Sequence, residues 1–454
     1  MRLGCFDGRV AVAASLAGVA ALACAIRNVM QHGPHRPPLW SLLRLSRPRV
    51  GGHGARAVRQ VLLESLASGH ELAAQVAAVR RGDVVASYFG SQPHITRNVS
   101  ASSLILAFST GKVVTALVVA MLVDRGRLRY SDLVIKHWPT FPRPDCTVEQ
   151  LLGHDAGLAW LDALIPTLAL RQPARLAALL EAQTARHPAS GRGYHAITWG
   201  LLVDQLVRRV DALGRSVGEF VASEIAAPLG IADELYIGLP AAEEPRVVPL
   251  RRPSRAYAFL HIWLRQWLGM PGVPLPDMAA ALRDPSSGYS LAMFHVLEEV
   301  DFSAQAYNTR EFHSAIIPGS NIICSARALA TVGALLAESG TLRGKTLLRR
   351  STLDLALSPS AATAAAPDAV LVGLPLTWTK GGFFFFGRSK FECGDGWYGW
   401  GGWGGSLLIF SRKLRASYAY VTAGMRHDAM QEHRHVQMLR ALCPSLIRGE
   451  EAVG

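Results

Sequence analysis

Six cysteines in 454 residues, Cys5, Cys24, Cys146, Cys324, Cys393 and Cys443, include no C-x-x-C pair. Zinc ribbons and thioredoxin-type redox centres are thereby excluded, and a disulfide framework would be unusual in a chain of this length. Neither H-E-x-x-H nor H-x-H-x-D-H occurs. His427, His433 and His435 near the C-terminus fit no ligand spacing and read as a solvated face, so neither a metal nor a cofactor is expected. A phosphate-binding loop is missing as well: around Gly111-Lys112 it would need a glycine where Leu106 stands and a Ser or Thr where Val113 stands. Acidic residues are scarce at one end. The first 60 residues hold nine arginines and one aspartate, which accounts for eight of the thirteen formal positive charges. The basicity therefore belongs mostly to the tail, and with no aromatic-interleaved basic motif a nucleic-acid partner is not expected.

The tail also carries an apolar run, Val10 to Ile26, behind Arg2 and Arg9 and ahead of a basic, proline-containing stretch from Arg27 to Arg59. Three readings fit it: a signal peptide with Ala21-Leu22-Ala23 as cleavage site, an uncleaved membrane anchor at the lower limit of spanning length, or an arginine-rich mitochondrial presequence. Residues 1–50 are set aside as a targeting or anchoring segment, through which the chain would associate with a membrane. The sequon Asn98-Val99-Ser100 would be an acceptor only on the secretory route, and the cysteines do not decide the compartment.

What is present begins with Ala107-Phe108-Ser109-Thr110-Gly111-Lys112. A serine and a lysine three residues apart lead an apolar run with helical spacing (Val113, Val114, Leu117, Val118, Met121, Leu122), which predicts both on one face of a buried helix start. A serine hydroxyl needs a base to become a useful nucleophile, and a lysine desolvated beside it can have its pKa lowered enough to serve. Alone, S-x-x-K is also what an N-cap serine followed by an incidental lysine looks like.

Around this motif the sequence predicts strands at both ends. Gln75–Val79 and Val84–Phe89 flank the turn-forming Arg80-Arg81-Gly82-Asp83, preceded by an amphipathic helix through Val58, Leu62, Leu63 and Leu66. Ser406–Phe410 and Ala416–Val421 alternate around Ser411-Arg412-Lys413, and a helix from Ala429 to Leu442 closes the chain. The region between reads as mostly helical. Within it, Arg251 to Pro276 is rich in Trp, Phe and Leu and suits a packed helix, a lid over a lipophilic site or an interfacial helix. An antiparallel sheet built from both termini, flanked by helices and carrying an inserted helical domain, is the expected α/β (α+β) architecture, with the α/β part at 51–125 and 310–450 and the helical part at 126–309.

Three further stretches keep the same order as a known family. Thr147-Val148-Glu149-Gln150-Leu151-Leu152-Gly153-His154-Asp155-Ala156-Gly157-Leu158 resembles the T-V-x-x-L-L-x-H-x-A-G-L segment of the β-lactamase-related serine hydrolases. Gly193-Tyr194-His195-Ala196 resembles their Y-x-N or Y-H-A element, and Gly399-Trp400-Gly401-Gly402-Trp403-Gly404-Gly405-Ser406 their late glycine-rich strand. Trp138-Pro139-Thr140-Phe141, Leu201 to Asp211, and Asn308-Thr309-Arg310-Glu311 with Ile317-Pro318-Gly319-Ser320-Asn321 are most similar to the penicillin-binding-protein-like esterase branch and its eukaryotic β-lactamase-like relatives.

The resemblance implies Ser109 as nucleophile, Lys112 and Tyr194 as proton-transfer groups with the base unassigned between them, and an oxyanion hole from the backbone N–H groups of Ser109 and Trp403. His195, Asn321, Trp400, Gly401 and Gly402 are the expected substrate-binding positions, and His154 a structural hydrogen-bonding residue. Two positions depart from the β-lactamase pattern. Trp400 stands where K-T-G has its lysine, and Ala196 where Y-x-N has its asparagine, so a charged anchor for a substrate carboxylate and a side-chain amide are both lost. The expectation is a serine carboxylesterase acting on small or lipophilic esters. A catalytically weak scaffold or filament protein, and a peptidase or amidase, are the competing classes; homo-oligomerisation stays open.

Overall fold

In a computed structural model of the chain, the described residues are 48–92, 99–184, 186–188, 192–252, 280–281, 284–299, 304–360, 367–371, 374–387, 393–425 and 433–447. The apolar run 10–26, the sequon asparagine Asn98 and nearly all of 251–276 lie outside them. No helix among the described residues is long and apolar enough to cross a membrane.

Chain order begins with β1 (Arg49–Gly54), α1 (Arg56–Ala67), β2 (Ala73–Arg80) and β3 (Asp83–Ser91). Arg81 and Gly82 take φ of 51° and 86° between the paired Arg80 and Asp83, so the hairpin closes through a two-residue turn whose twist suits the strands. Then come β4 (Ile105–Phe108), α2 (Gly111–Asp124), α3 (Val148–Leu152), α4 (Thr198–Val210), β5 (Leu235–Ile237), β6 (Ile322–Cys324) and α5 (Ala326–Ala337). A small hairpin of β7 (Thr341–Leu342) and β8 (Lys345–Thr346) precedes β9 (Phe384–Phe385), β10 (Trp397–Gly401), β11 (Leu407–Ser411), β12 (Ala416–Thr422) and α6 (His433–Ile447).

Strands from the two ends of the chain meet in one antiparallel sheet of order β1-β3-β2-β12-β11-β10-β9. Alternation sorts its side chains. Ala74, Val76, Ala78, Tyr418 and Tyr420 face α1 and α6, whereas Ala77, Val79, Ala419 and Val421 join the larger core on the other side. Both faces are covered, which is why β2 and β12 read as nearly continuous apolar runs. A second sheet, β4-β6-β5, was not legible as such: its strands are three or four residues long and β5 lies in the stretch expected to be helical. β4 delivers the chain to Ser109.

The cysteines also differ from expectation. Cys393, just before β10, and Cys443, on α6, form a disulfide across 50 residues with Cα atoms 5.1 Å apart. Such a pairing is set by the tertiary fold, and no local spacing announces it.

Candidate active site

β4 ends at Phe108, whose φ of 49° is unusual for a bulky residue. Its ring is gripped by Tyr307 and Trp403, at centroid distances of 5.3 and 5.5 Å, and this packing holds the sharp strand-to-helix turn. Ser109 therefore sits in the turn before α2 rather than on the helix, half-buried, while Lys112 lies in the first helical turn. The pair still converges: Lys112 Nζ is 3.3 Å from Ser109 Oγ. Its other hydrogen bonds go to the carbonyls of Ala196 (2.8 Å) and Gly319 (2.9 Å). Lys112 is 1% exposed, and burial holds its amine well below the usual lysine range.

Tyr194 approaches from the segment before α4. Its hydroxyl accepts from the Trp400 indole N–H at 2.9 Å, and its ring lies 4.9 Å from Lys112 Nζ. Burial pushes its phenol well above the ordinary value, with the hydrogen bond from Trp400 opposing. The Tyr194 backbone N–H donates to Asp368 Oδ1 (3.1 Å), a positioning contact from a distant loop that no sequence pattern suggested.

Two of the sequence motifs turn out to interlock. Thr147 and Gln150 form a capping box on α3, which accounts for the T-V-x-x part of its motif locally. His154 Nδ1 then accepts from the His195 N–H (3.0 Å), and His195 Nε2 accepts from the Leu158 N–H (3.0 Å). With its Nδ1 facing the Gly193 carbonyl and no exposed surface, His195 is a structural residue, correcting its expected place in the substrate pocket. Burial lowers its pKa to about 4 and pushes that of His154 far down.

Asn321 is corrected in the same way. Its amide donates to the carbonyls of Phe312 and Ala315 and accepts from the Ile317 N–H, with no surface exposed. It shapes the loop that carries Gly319 and Ser320. Trp400 stands beside the pocket: its indole holds Tyr194 and its ring packs on Trp378 and Phe384. Gly401 pairs with Leu407 on β11. At Gly402 a Cβ would come within 2.2 Å of the Ala107 carbonyl, so glycine lets the β10–β11 turn abut the Ser109 turn. The backbone N–H groups of Ser109 and Trp403 have no hydrogen-bond acceptor among the described residues.

The pocket at Ser109 is partly open to solvent and small, a cavity of about 30 Å³, with Phe108, Ile197, Met293, Tyr307, Phe312 and Trp403 among its walls. Ser320, which the sequence did not single out alone, joins the wall and donates to the Ala196 carbonyl (2.9 Å). No charged side chain lines the pocket among the described residues.

The Beta-lactamase family profile matches residues 58–442. The chain belongs to that family. It is 28% identical over 267 residues to the esterase/beta-lactamase LipL of Mycobacterium tuberculosis, a match covering 55% of this chain and about half, 54%, of that relative. Among solved structures it is similar to a penicillin-binding protein homolog from Caulobacter crescentus (29% identity, TM-score 0.70, 87% of this chain and 100% of the other). It is also similar to a family VIII carboxylesterase (26% identity, TM-score 0.72, 87% and 98%).

Proposed function

We propose that this protein is a metal-independent serine carboxylesterase acting on neutral esters with small or lipophilic acyl groups. The observation that carries the reading is the environment of Lys112. A neutral amine has two N–H bonds and one lone pair; the carbonyls of Ala196 and Gly319 take the two N–H groups, which leaves the lone pair directed at Ser109 Oγ. On this reading Lys112, of the two groups between which the sequence left the base unassigned, is the base, and Tyr194, kept as a neutral phenol, is the acid.

As Ser109 Oγ bonds to the ester carbonyl carbon, its proton passes to Lys112 Nζ, and the carbonyl oxygen becomes an oxyanion facing the N–H groups of Ser109 and Trp403. Collapse breaks the bond to the alcohol, which leaves with the proton of Tyr194, and Lys112 restores that proton. Water releases the acyl group by the reverse sequence. Each oxyanion donor in such a site contributes roughly 3 kcal/mol to the barrier reduction. The uncharged lining and the indole at 400 support esters over substrates bearing a carboxylate; of the described cations besides Lys112, Arg252 is stacked on the outer wall at Trp403, its guanidinium 4.6 Å from the ring centroid.

The test is hydrolysis of p-nitrophenyl acetate through octanoate by the full chain and its Ser109→Ala variant, with nitrocefin as control. Ester turnover that exceeds nitrocefin turnover and disappears in the variant is expected; equal rates for the two folded proteins would remove the catalytic reading.

A further inference from the structure

The turn that would supply the Trp403 donor is four-fifths glycine between 401 and 405, and Gly404 sits at a φ of 89°. Backbone of this kind is costly to order, so a fixed donor needs an anchor from elsewhere in the fold. The anchor is Arg434. Its guanidinium is 2% exposed and donates from Nη2 to the Gly404 carbonyl (3.1 Å), and from Nη1 to the Gly424 carbonyl (3.1 Å), the His70 carbonyl (3.2 Å) and Glu71 Oε2 (2.8 Å). Glu71 has no exposed surface. Its carboxylate also accepts from the Tyr420 hydroxyl, from the Thr422 hydroxyl (2.8 Å) and from the N–H groups of Leu72 (2.7 Å) and Ala73 (3.2 Å). Two charges removed from water are tolerated here because both are paired and multiply hydrogen-bonded.

This pair does more than join α6 to the sheet. The same helix holds Cys443, bonded to Cys393 just before β10, so α6 grips the β10–β11 hairpin at its entrance and, through Arg434, at its turn. Trp400 and Trp403 both lie between these two points.

We infer that Arg434, neutralised by Glu71, is a positioning residue for the oxyanion hole: by fixing the Gly404 carbonyl it orients the Trp403 N–H toward the carbonyl oxygen of the substrate. The inference rests on the esterase reading for its kinetic consequence but not for its geometry. A lysine at 434 keeps the charge for Glu71 but lacks the planar fork that reaches Gly404 and Glu71 together. Small displacements of a catalytic group are expensive in rate, so kcat is expected to fall about 10-fold to 100-fold.

The experiment compares the full chain with Arg434→Lys and with the double variant Glu71→Gln/Arg434→Met, which removes both charges and so leaves no buried ion unpaired. Four quantities are read: kcat and KM on p-nitrophenyl butyrate, inhibition by n-butylboronic acid as a mimic of the tetrahedral oxyanion, and amide hydrogen exchange over residues 399–406. In both variants kcat and boronate affinity should drop by similar factors, KM should stay within about twofold, as expected when only transition-state contacts are lost, and exchange at 402–405 should rise. Folded variants with the parent's kcat and boronate affinity would overturn the inference, as would a loss of thermal stability with boronate affinity unchanged. An inert parent chain would instead count against the esterase reading, and exchange at 402–405 still decides whether Arg434 holds the turn.

Discussion

At Lys112 the balance between burial and hydrogen bonding decides the chemistry. Three oxygens surround the amine, which favours an ammonium, but the Lys112 side chain is itself buried and burial wins. The base works when unprotonated, so kcat/KM should rise with pH through an apparent pKa below the ordinary lysine value of 10.5. It should then hold until Tyr194 ionises above its ordinary 10.0. Lys112→Met should abolish the acidic limb along with most of the rate, and Tyr194→Phe should lower kcat by about 10²–10⁴; a pH–rate profile of each variant checks both. Trp400 acts on Tyr194 through one neutral hydrogen bond. Trp400→Phe should cost about 1 kcal/mol in kcat/KM, roughly fivefold, and should not create nitrocefin turnover, since it brings no cation to the pocket.

Among the elements, α6 and the β10–β11 hairpin are bound covalently as well as by packing. Closing a 50-residue span in the unfolded chain by the Cys393–Cys443 bond stabilises the fold by on the order of 2–4 kcal/mol. Thiol alkylation of the unfolded, unreduced protein should leave these two cysteines unmodified, and reductant should lower the melting temperature of the parent but not of Cys443→Ser. The β10–β11 turn meets the Ser109 turn at Gly402. Gly402→Ala should push the Trp403 donor away from Ser109, with a loss of kcat of about 10²-fold and a lower melting temperature from the forced backbone shift, as read by kinetics beside calorimetry.

Across the whole molecule, His154 and His195, whose pKa values burial lowers, make stability depend on pH. His195 has a folded pKa of about 4 against an ordinary 6.5. The unfolded chain binds the proton first, so the stabilisation is complete above pH 6.5 and is lost as pH falls toward 4, on the order of 3 kcal/mol. Asp204 and Asp368, raised by burial, oppose this at the acidic end. Urea denaturation at several pH values should show the slope, and His195→Gln should flatten it.

How far the sequence could be read follows from the range of the interactions. Hairpins at both ends, the Ser109–Lys112 pair and Tyr194 were legible because spacing and turn chemistry are local, and the order of motifs along the chain carried the fold. His195 and Asn321 were misplaced because their motif neighbours line the pocket, whereas their own polar atoms turn inward to backbone partners that only the tertiary fold supplies. Asp368, Ser320, Arg434 and the Cys393–Cys443 bond lie far along the chain from what they hold, and nothing local marks them.

The most direct measurement of the central claim is peptide mapping of the full chain after treatment with a fluorophosphonate at neutral pH, beside Lys112→Met. A single phosphonyl adduct on Ser109 in the parent, with labelling of the variant slowed at least 100-fold, is expected from a serine activated by a neutral lysine. Labelling at another residue, or equal labelling of Ser109 in both proteins, would contradict it.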